Sequence, residues 1–299
     1  MKAACRLSRL LALTLPLLLS GCLFTTRRLP VPRPPSNVKT VSAEYLVDRI
    51  NQRWAELDTL NARVDLQATE LKTREGVAKD YTTIRGIILM RKPEQLRVLG
   101  QVPVLGTRMF DMVSDGKTFT IYIPSKSKAI EGSTDSTKKS ENQLENLRPG
   151  FFFDAMAVRG LAPDDLYSVA ADVDTQEDAA KKHLYLIPEY ILTIVRRKDD
   201  SQELTPLRVV RIHRDDLEPY QQDIYDHDGN LVTQVFYSAY KDYGPSRYPS
   251  KVTIKRPIEG IQIVLTVDNV VENSNLVTDD QFMLKALKMP DDTQIQKLP

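Results

Sequence analysis

The side chains that could do chemistry are few and scattered. Three histidines, His183, His213 and His227, stand far apart in strand-like or turn-like stretches, with no second ligand at metal-binding spacing beside any of them. Gly116-Lys117-Thr118 copies the end of a phosphate loop. However, Asp111 occupies the position of the required upstream glycine, and the residues that follow read as a strand instead of a helix. Ser125-Lys126-Ser127-Lys128 contains a Ser-x-x-Lys spacing without the helix start or the Lys-Thr-Gly partner that a penicillin-binding serine needs. Asp226-His227-Asp228-Gly229-Asn230 has the composition of a calcium loop but lacks its carboxylate spacing and closing glutamate, so a hairpin turn is expected. These residues support no enzyme, no metal site and no cofactor.

One cysteine has chemistry of another kind. Residues 1–21 carry Lys2, Arg6 and Arg9, then an apolar run from Leu10 to Leu19 that is too short to span a bilayer. The run ends in Leu19-Ser20-Gly21-Cys22, which resembles the lipobox of bacterial lipoproteins. That resemblance implies cleavage before Cys22 and acylation of its sulfur and amine, which would anchor the chain stably because each buried methylene contributes about 0.8 kcal/mol. The chain's other cysteine, Cys5, leaves with the signal, so no intrachain disulfide is expected. The formal charge is +1; without residues 1–21 the balance is 38 basic to 40 acidic residues, which gives no nucleic-acid signature.

The elements follow from periodicity. Residues 22–41 form a tether: Pro30, Pro32, Pro34 and Pro35 favour an extended chain reaching roughly 50 Å at about 3.1 Å per residue. Ser42 is a helix cap, and Leu46, Val47, Ile50, Trp54, Leu57 and Leu60 share one helical face. Ala62, Val64, Leu66 and Ala68 then alternate with polar residues, as in a half-buried strand. Four strands follow, near Tyr81–Met90, Gln95–Leu99, Arg108–Val113 and Lys117–Ile123, the last two joined by an Asp115-Gly116 turn. Between them Gln101–Gly106 is apolar yet built like a loop. Its Val and Leu side chains must either fold back onto the sheet or point into solvent. Residues 126–142 read as a polar loop with a short strand around Ala129-Ile130, and residues 140–172 as helices on the sheet, one through Phe151–Val158 and one opening at Pro163. Strands are expected again near 183–187, 190–196, 206–213, 221–225, 231–240, 250–256 and 262–271, and then a short strand or turn at Phe282-Met283-Leu284.

This order resembles the LolA/LolB superfamily of periplasmic lipoprotein carriers over roughly residues 42–285. The resemblance is most specific at Leu96-Arg97-Val98, at Met112-Val113-Ser114-Asp115-Gly116-Lys117, at Ile121-Tyr122-Ile123-Pro124 and at Asp280-Gln281-Phe282. It implies an α+β fold: a curved antiparallel sheet forming an open half-barrel of about eleven strands, with an N-terminal helix and a helical lid insert, all in one domain over residues 42–299. It also implies a cavity that takes acyl chains of lipids or lipoproteins. The lipobox and Val104-Leu105-Gly106, similar to the Pro-Leu-Gly loop of LolB-like proteins but with Val104 in place of proline, lean toward the outer-membrane acceptor. Leu23, not Asp, follows Cys22, which by analogy with enteric bacteria favours the outer membrane, facing the periplasm. A periplasmic carrier protein would then be a partner.

The candidate cavity wall is Val64, Leu66, Ile84, Leu89, Leu96, Val98, Met112, Phe119 and Ile121. The candidate lid is Leu46, Ile50, Trp54, Phe151, Phe152 and Met156, and the candidate membrane-insertion loop is Val102, Val104 and Leu105. The same residues could instead form a solid core, leaving a structural or sensory envelope lipoprotein that binds a protein partner.

Overall fold

The computed structural model describes residues 28, 37–72, 76–134, 148–177, 180, 182–198 and 201–298. The described residues of 37–172 and 188–298 form one compact unit, and those of 173–187 belong to another. The expected signal, Cys22, the tether up to residue 36 and, from residues 135 to 147, the end of the expected polar loop and the start of the expected helical stretch lie outside the described residues, apart from Arg28.

The larger unit starts with α1 (Ala43–Glu56). The Ser42 hydroxyl accepts from the Tyr45 backbone N–H at 3.2 Å, and Leu46, Val47 and Ile50 are buried. Strands β1 (Thr59–Lys72), β2 (Val77–Asp80), β3 (Ile84–Arg91), β4 (Gln95–Gln101), β5 (Arg108–Ser114), β6 (Thr118–Ile123) and β7 (Lys128–Ser133) follow, then α2 (Pro149–Met156). After it come β8 (Asp165–Glu177), β9 (Leu184–Arg197), β10 (Leu204–His213), β11 (Pro219–Tyr225), β12 (Leu231–Tyr243), β13 (Ser246–Arg256), β14 (Ile261–Glu272) and β15 (Gln294–Lys297).

All belong to one open, curved sheet in the order β15-β7-β6-β5-β4-β3-β1-β14-β13-β12-β11-β10-β9-β8, with β2 added beside β1. Neighbours described by register are antiparallel except β15, which runs parallel to β7. Fifteen strands replace the expected eleven or so. β2, β8 and β15 make up much of the difference, being short, exposed or at an edge, where the alternating burial signal is weakest.

The expected helix from Pro163 is instead strand β8. Leu166, Val169, Ala170 and Val173 fall at helical spacing, but β8 is largely exposed, so no buried face imposed a period of two. The two strands expected at 183–187 and 190–196 are one, β9. Pro188 lies one residue beyond the last β10 pair, Glu189 with His213, where no N–H donor is needed. In the smaller unit, the described ends of β8 and β9 leave Val173 and Tyr185 exposed.

One sheet face carries the main core. Leu60, Ala62, Val64 and Leu66 point into it from β1, and Ile261, Ile263, Leu265 and Val267 from β14. The β14 alternation slips after Val267, so that Val270 is the next buried residue. The pairing jumps there from Val64–Val267 to Arg63–Asn269, a β-bulge that takes up Asp268.

The opposite face is covered by the segment after β14. Val277 and Phe282 pack on Leu89, and Leu287 packs with Val113, Tyr122 and Ala129. Beneath it the fully buried Asp111 carboxylate accepts two bonds from Arg97, at 3.0 and 2.8 Å, while Arg97 and Arg108 also donate to the Ala286 and Leu287 carbonyls. That pairing fastens the C-terminal segment to the sheet. The expected turn near Phe282 is two single 3-10 turns, Asp279–Phe282 and Leu284–Leu287.

Candidate functional site

Two spaces open on the core face, and they differ in kind. The first lies beneath α1. Its lining includes Leu46, Ile50 and Trp54 from α1, Met156 from α2, and Tyr237, Tyr240 and Tyr248 from β12 and β13; it measures about 70 Å³. Its tyrosines are hydrogen-bonded. Tyr240 donates to the Pro219 carbonyl at 2.7 Å, Tyr248 to the Met156 carbonyl at 2.6 Å, and Tyr237 accepts from Gln222 at 3.3 Å. Burial pushes all three phenols up in pKa, so they remain protonated. The buried Glu218 carboxylate draws Arg49 and Arg53 of α1 to 3.0 Å each, which latches the helix to the turn before β11. This region is packed core with a crevice.

The second space is about 380 Å³, inside the range of roughly 300–1,000 Å³ typical of ligand pockets. Leu66 and Ala68 of β1, Ile84 of β3, Phe110 and Met112 of β5, Ile121 and Ile123 of β6, Ile130 of β7 and Ile263 of β14 form its wall; Phe152 of α2 closes its floor. Tyr81, Thr82, Met109, Lys126 and Lys128 complete the lining. A glycine lets two of the wall side chains sit where they do. A Cβ on Gly100, the next inward position of β4 after Leu96 and Val98, would meet Phe110 Cε1 at 2.4 Å and Ile84 Cδ1 at 2.8 Å. Both side chains lie over β4 because that position is empty. The register shift opposite Gln101 makes Met109 a bulge residue, so Met109 and Phe110 line the space together although they are adjacent.

α2 is held from several sides. The Gln222 side chain donates to the Asp154 carbonyl at 2.9 Å, and Trp54 meets Phe153 edge-on at 6.2 Å. Arg208 donates to the carbonyls of Arg159 and Gly160, and burial lowers its pKa. Phe152 packs on Phe151 with ring centroids 4.1 Å apart and the rings tilted by 35°, and the Arg256 guanidinium lies over Phe151.

The β4–β5 loop beside this space is closed on itself. Val102 N–H donates to the Thr107 carbonyl at 2.8 Å and Gly106 N–H to the Val102 carbonyl at 3.0 Å. Val104 has φ +68°, a conformation that is a clear outlier for a β-branched residue. Val104 is fully exposed and Leu105 is 77% exposed. Of the two orientations open to these side chains, the outward one is present. Holding Val104 there costs on the order of 1–3 kcal/mol, and such strain clusters at functional sites.

The fifteen wall and lid candidates are thus distributed. Leu66, Ile84, Met112, Ile121 and Phe152 line the large cavity, whereas Leu46, Ile50, Trp54 and Met156 line the small crevice. Val64, Leu96, Val98 and Phe151 are packed core, and Phe119 is buried against Gly132. Two expectations need correction. Leu89 faces away from the core, against Val277 and Phe282, because Ile88 and Met90 take the inward positions of β3. The α1 residues lie over the β9–β13 half of the sheet and not over the large cavity, where α2 alone supplies a helical side chain.

Ala68, Tyr81, Thr82, Met109, Phe110, Ile123, Lys126, Lys128, Ile130 and Ile263 escaped sequence reasoning. Strand parity could have found Ile123, Ile130 and Ile263; the bulge at Met109 left no signal.

The other motifs resolve into turns. The Asp115 carboxylate accepts from the Lys117 and Thr118 N–H groups at 2.8 and 2.7 Å. Asp226 accepts from those of Asp228 and Asn230 at 3.0 and 2.8 Å. His213 stacks on Tyr220 at 4.1 Å. Among the described residues no group of three His, Cys, Asp or Glu could hold a metal, and no helix is long and apolar enough to cross a membrane.

No protein-family model and no curated protein matches the chain. Solved structures do. A LolA superfamily protein from Nitrosomonas europaea aligns over 83% of this chain and 100% of its own, with TM-score 0.50 and 14% identity. A DUF1329 family protein from Desulfovibrio piger aligns over 81% of this chain and 96% of its own, with TM-score 0.46 and 16% identity. The first of these likenesses shows that the chain has a LolA/LolB-like fold.

Proposed function

We propose that the chain is an envelope lipoprotein that takes acyl chains of lipids or lipoproteins into the 380 Å³ cavity and delivers them at the outer membrane, without enzymatic chemistry. The observation that carries this reading is the cavity itself: thirteen uncharged residues and two lysines line it, next to a loop that holds Val104 and Leu105 outward. An alkyl chain sliding from bilayer into cavity keeps its methylenes out of water, each worth about 0.8 kcal/mol. The fold supports the reading, and the Leu19–Cys22 motif supplies the anchor. A periplasmic carrier fits as the donor, with Val102, Val104 and Leu105 as the membrane contact.

Gently purified protein should carry lipid in native mass spectrometry, and repeated recovery of empty protein that rejects fluorescent fatty acids would refute the proposal. Leu105→Glu should leave the melting temperature unchanged and lower transfer of an acyl probe to acceptor vesicles at least tenfold; undiminished transfer removes the loop from the mechanism. A filled-barrel role in binding a protein partner predicts empty protein and a specific crosslink.

A further inference from the structure

The large cavity has an open end and an enclosed part. Thr82, Met109 and Lys126 are exposed members of its lining, and Tyr81 and Lys128 are half-buried. They share one edge of the sheet, because β3 and β5 start there and β6 ends there. This is the mouth. Leu66, Ile84, Met112, Ile130, Phe152 and Ile263 are buried and form the enclosed part. Phe152 belongs to the same packed cluster as Phe151, Phe153, Val252 and Ile254, so the space ends at its ring. The crevice beneath α1 does not extend it. α2 stands between the two, with Phe152 lining one and Met156 the other.

The walls are held against spreading. β3, β4, β5 and β6 each have a bonded neighbour strand on both edges. On their outer face Arg91, Arg97 and Arg108 donate to the carbonyls of Val277, Ala286 and Leu287, which straps the C-terminal segment across them. The helical floor is tied at the Asp154 carbonyl by Gln222, at 2.9 Å, and at the Met156 carbonyl by Tyr248, at 2.6 Å.

Volume then selects the guest. An apolar cavity of about 150 Å³ takes benzene, which is roughly 25 Å³ per carbon. At that packing the 380 Å³ cavity holds about fifteen carbons, one acyl tail of common length. A second tail needs about as much room again, and the 70 Å³ crevice holds roughly three carbons. We infer that the cavity is a one-tail site. Its guest is an amphiphile with a single alkyl chain, a fatty acid or a lysolipid, whose polar head stands at the mouth and whose tail ends against Phe152. A lipid with two tails can bury only one here and must leave the other in the bilayer or in water. The inference deepens the acyl-carrier reading and rests on it.

The test is a chain-length series. Saturated fatty acids of about eight to twenty-two carbons displace a fluorescent fatty acid from the full chain. Affinity should rise about fourfold per added methylene and level off near fifteen carbons. Phe152→Ala should move the break several carbons longer. Phe152→Leu is the milder change should the first variant fail to fold, and it should move the break in the same direction. Vesicles holding equal amounts of lysophosphatidylcholine and dipalmitoyl phosphatidylcholine supply the second arm. Native mass spectrometry should find the one-tailed lipid on the protein at least tenfold over the two-tailed one. Affinity still rising at twenty-two carbons, or equal recovery of both lipids, would overturn the one-tail limit and leave the acyl-carrier reading standing. A break unmoved in both Phe152 variants would overturn Phe152 as the end of the site. Failure of every fatty acid to displace or bind would sink the acyl-carrier reading, and the one-tail limit with it.

Discussion

The two halves of the core face use the same materials to opposite ends. Under α1, the inward residues of β9 and β10 are Tyr190, Leu192, Ile194, Val210 and Ile212, every one buried, and three tyrosines fill what remains to about 70 Å³. Over β1 and β3–β7, the inward positions include Ala68, Gly86, Gly100 and Gly132, and about 380 Å³ stays open. The difference is one of side-chain volume at inward strand positions, and of which helix lies above. α1 offers a three-turn apolar face, whereas α2 is eight residues long and commits Phe152 alone to the cavity. A sheet of this curvature needs many large side chains to fill it, and leaving them out on one side is how the fold acquires room for a guest.

The largest effect that would test this contrast is a matched pair of deletions. Leu192→Ala, in the filled half, should destabilise by about 3–4 kcal/mol, since Leu192 is fully buried and its neighbours are tightly packed. Ile121→Ala, on the cavity wall, should cost only about 1 kcal/mol, because one side of that residue already faces empty space. Urea unfolding measures both. Equal losses would mean that the hollow half is as tightly packed as the other.

How much of this was legible beforehand varies with periodicity. β14 declared itself through Ile261, Ile263, Leu265 and Val267, and α1 through Leu46, Ile50 and Trp54 after Ser42. β8 did not, because an exposed strand has no alternation to read. The cavity was legible only as a list of apolar residues. Whether Leu96 plugs the interior or lines a void depends on what faces it from another strand, and alternation says nothing about the facing side chain. Gly100 was the readable clue, an inward position after Leu96 and Val98 with nothing to bury. Leu89 misled because Ile87 to Met90 is apolar at every residue, so parity alone could not choose its face.

A middle-sized effect sharpens the comparison from the other direction. Ala68→Phe adds a ring at the lip of the hollow half, where volume is free. Stability should change by less than about 1 kcal/mol, while affinity for a fluorescent fatty acid should fall at least tenfold, about 1.4 kcal/mol. Unchanged affinity would place the probe elsewhere than in this cavity.

The smallest effect concerns two hairpin turns, one in each half. At Asp115 and at Asp226 burial acts to raise the carboxyl pKa. At Asp115 the N–H groups of Thr118 and Lys117 and the Thr118 hydroxyl outweigh it; at Asp226 the N–H groups of Asn230 and Asp228 and the Asn230 side chain do so. Both carboxyls are held below the ordinary aspartate value. A depressed folded-state pKa contributes stability that is fully present above the unfolded value of about 3.9 and is lost as pH falls through the folded value. Both turns are largely exposed, so each contribution is small. Asp115→Asn and Asp226→Asn keep a carbonyl acceptor but not the charge, so each should lower the melting temperature slightly at neutral pH and leave it unchanged well below pH 3. Because the turns lie in different halves, the double variant should show the sum of the two losses. A loss greater than the sum would mean that the hollow half leans on the filled one for its stability, and that the contrast between them is one of volume alone.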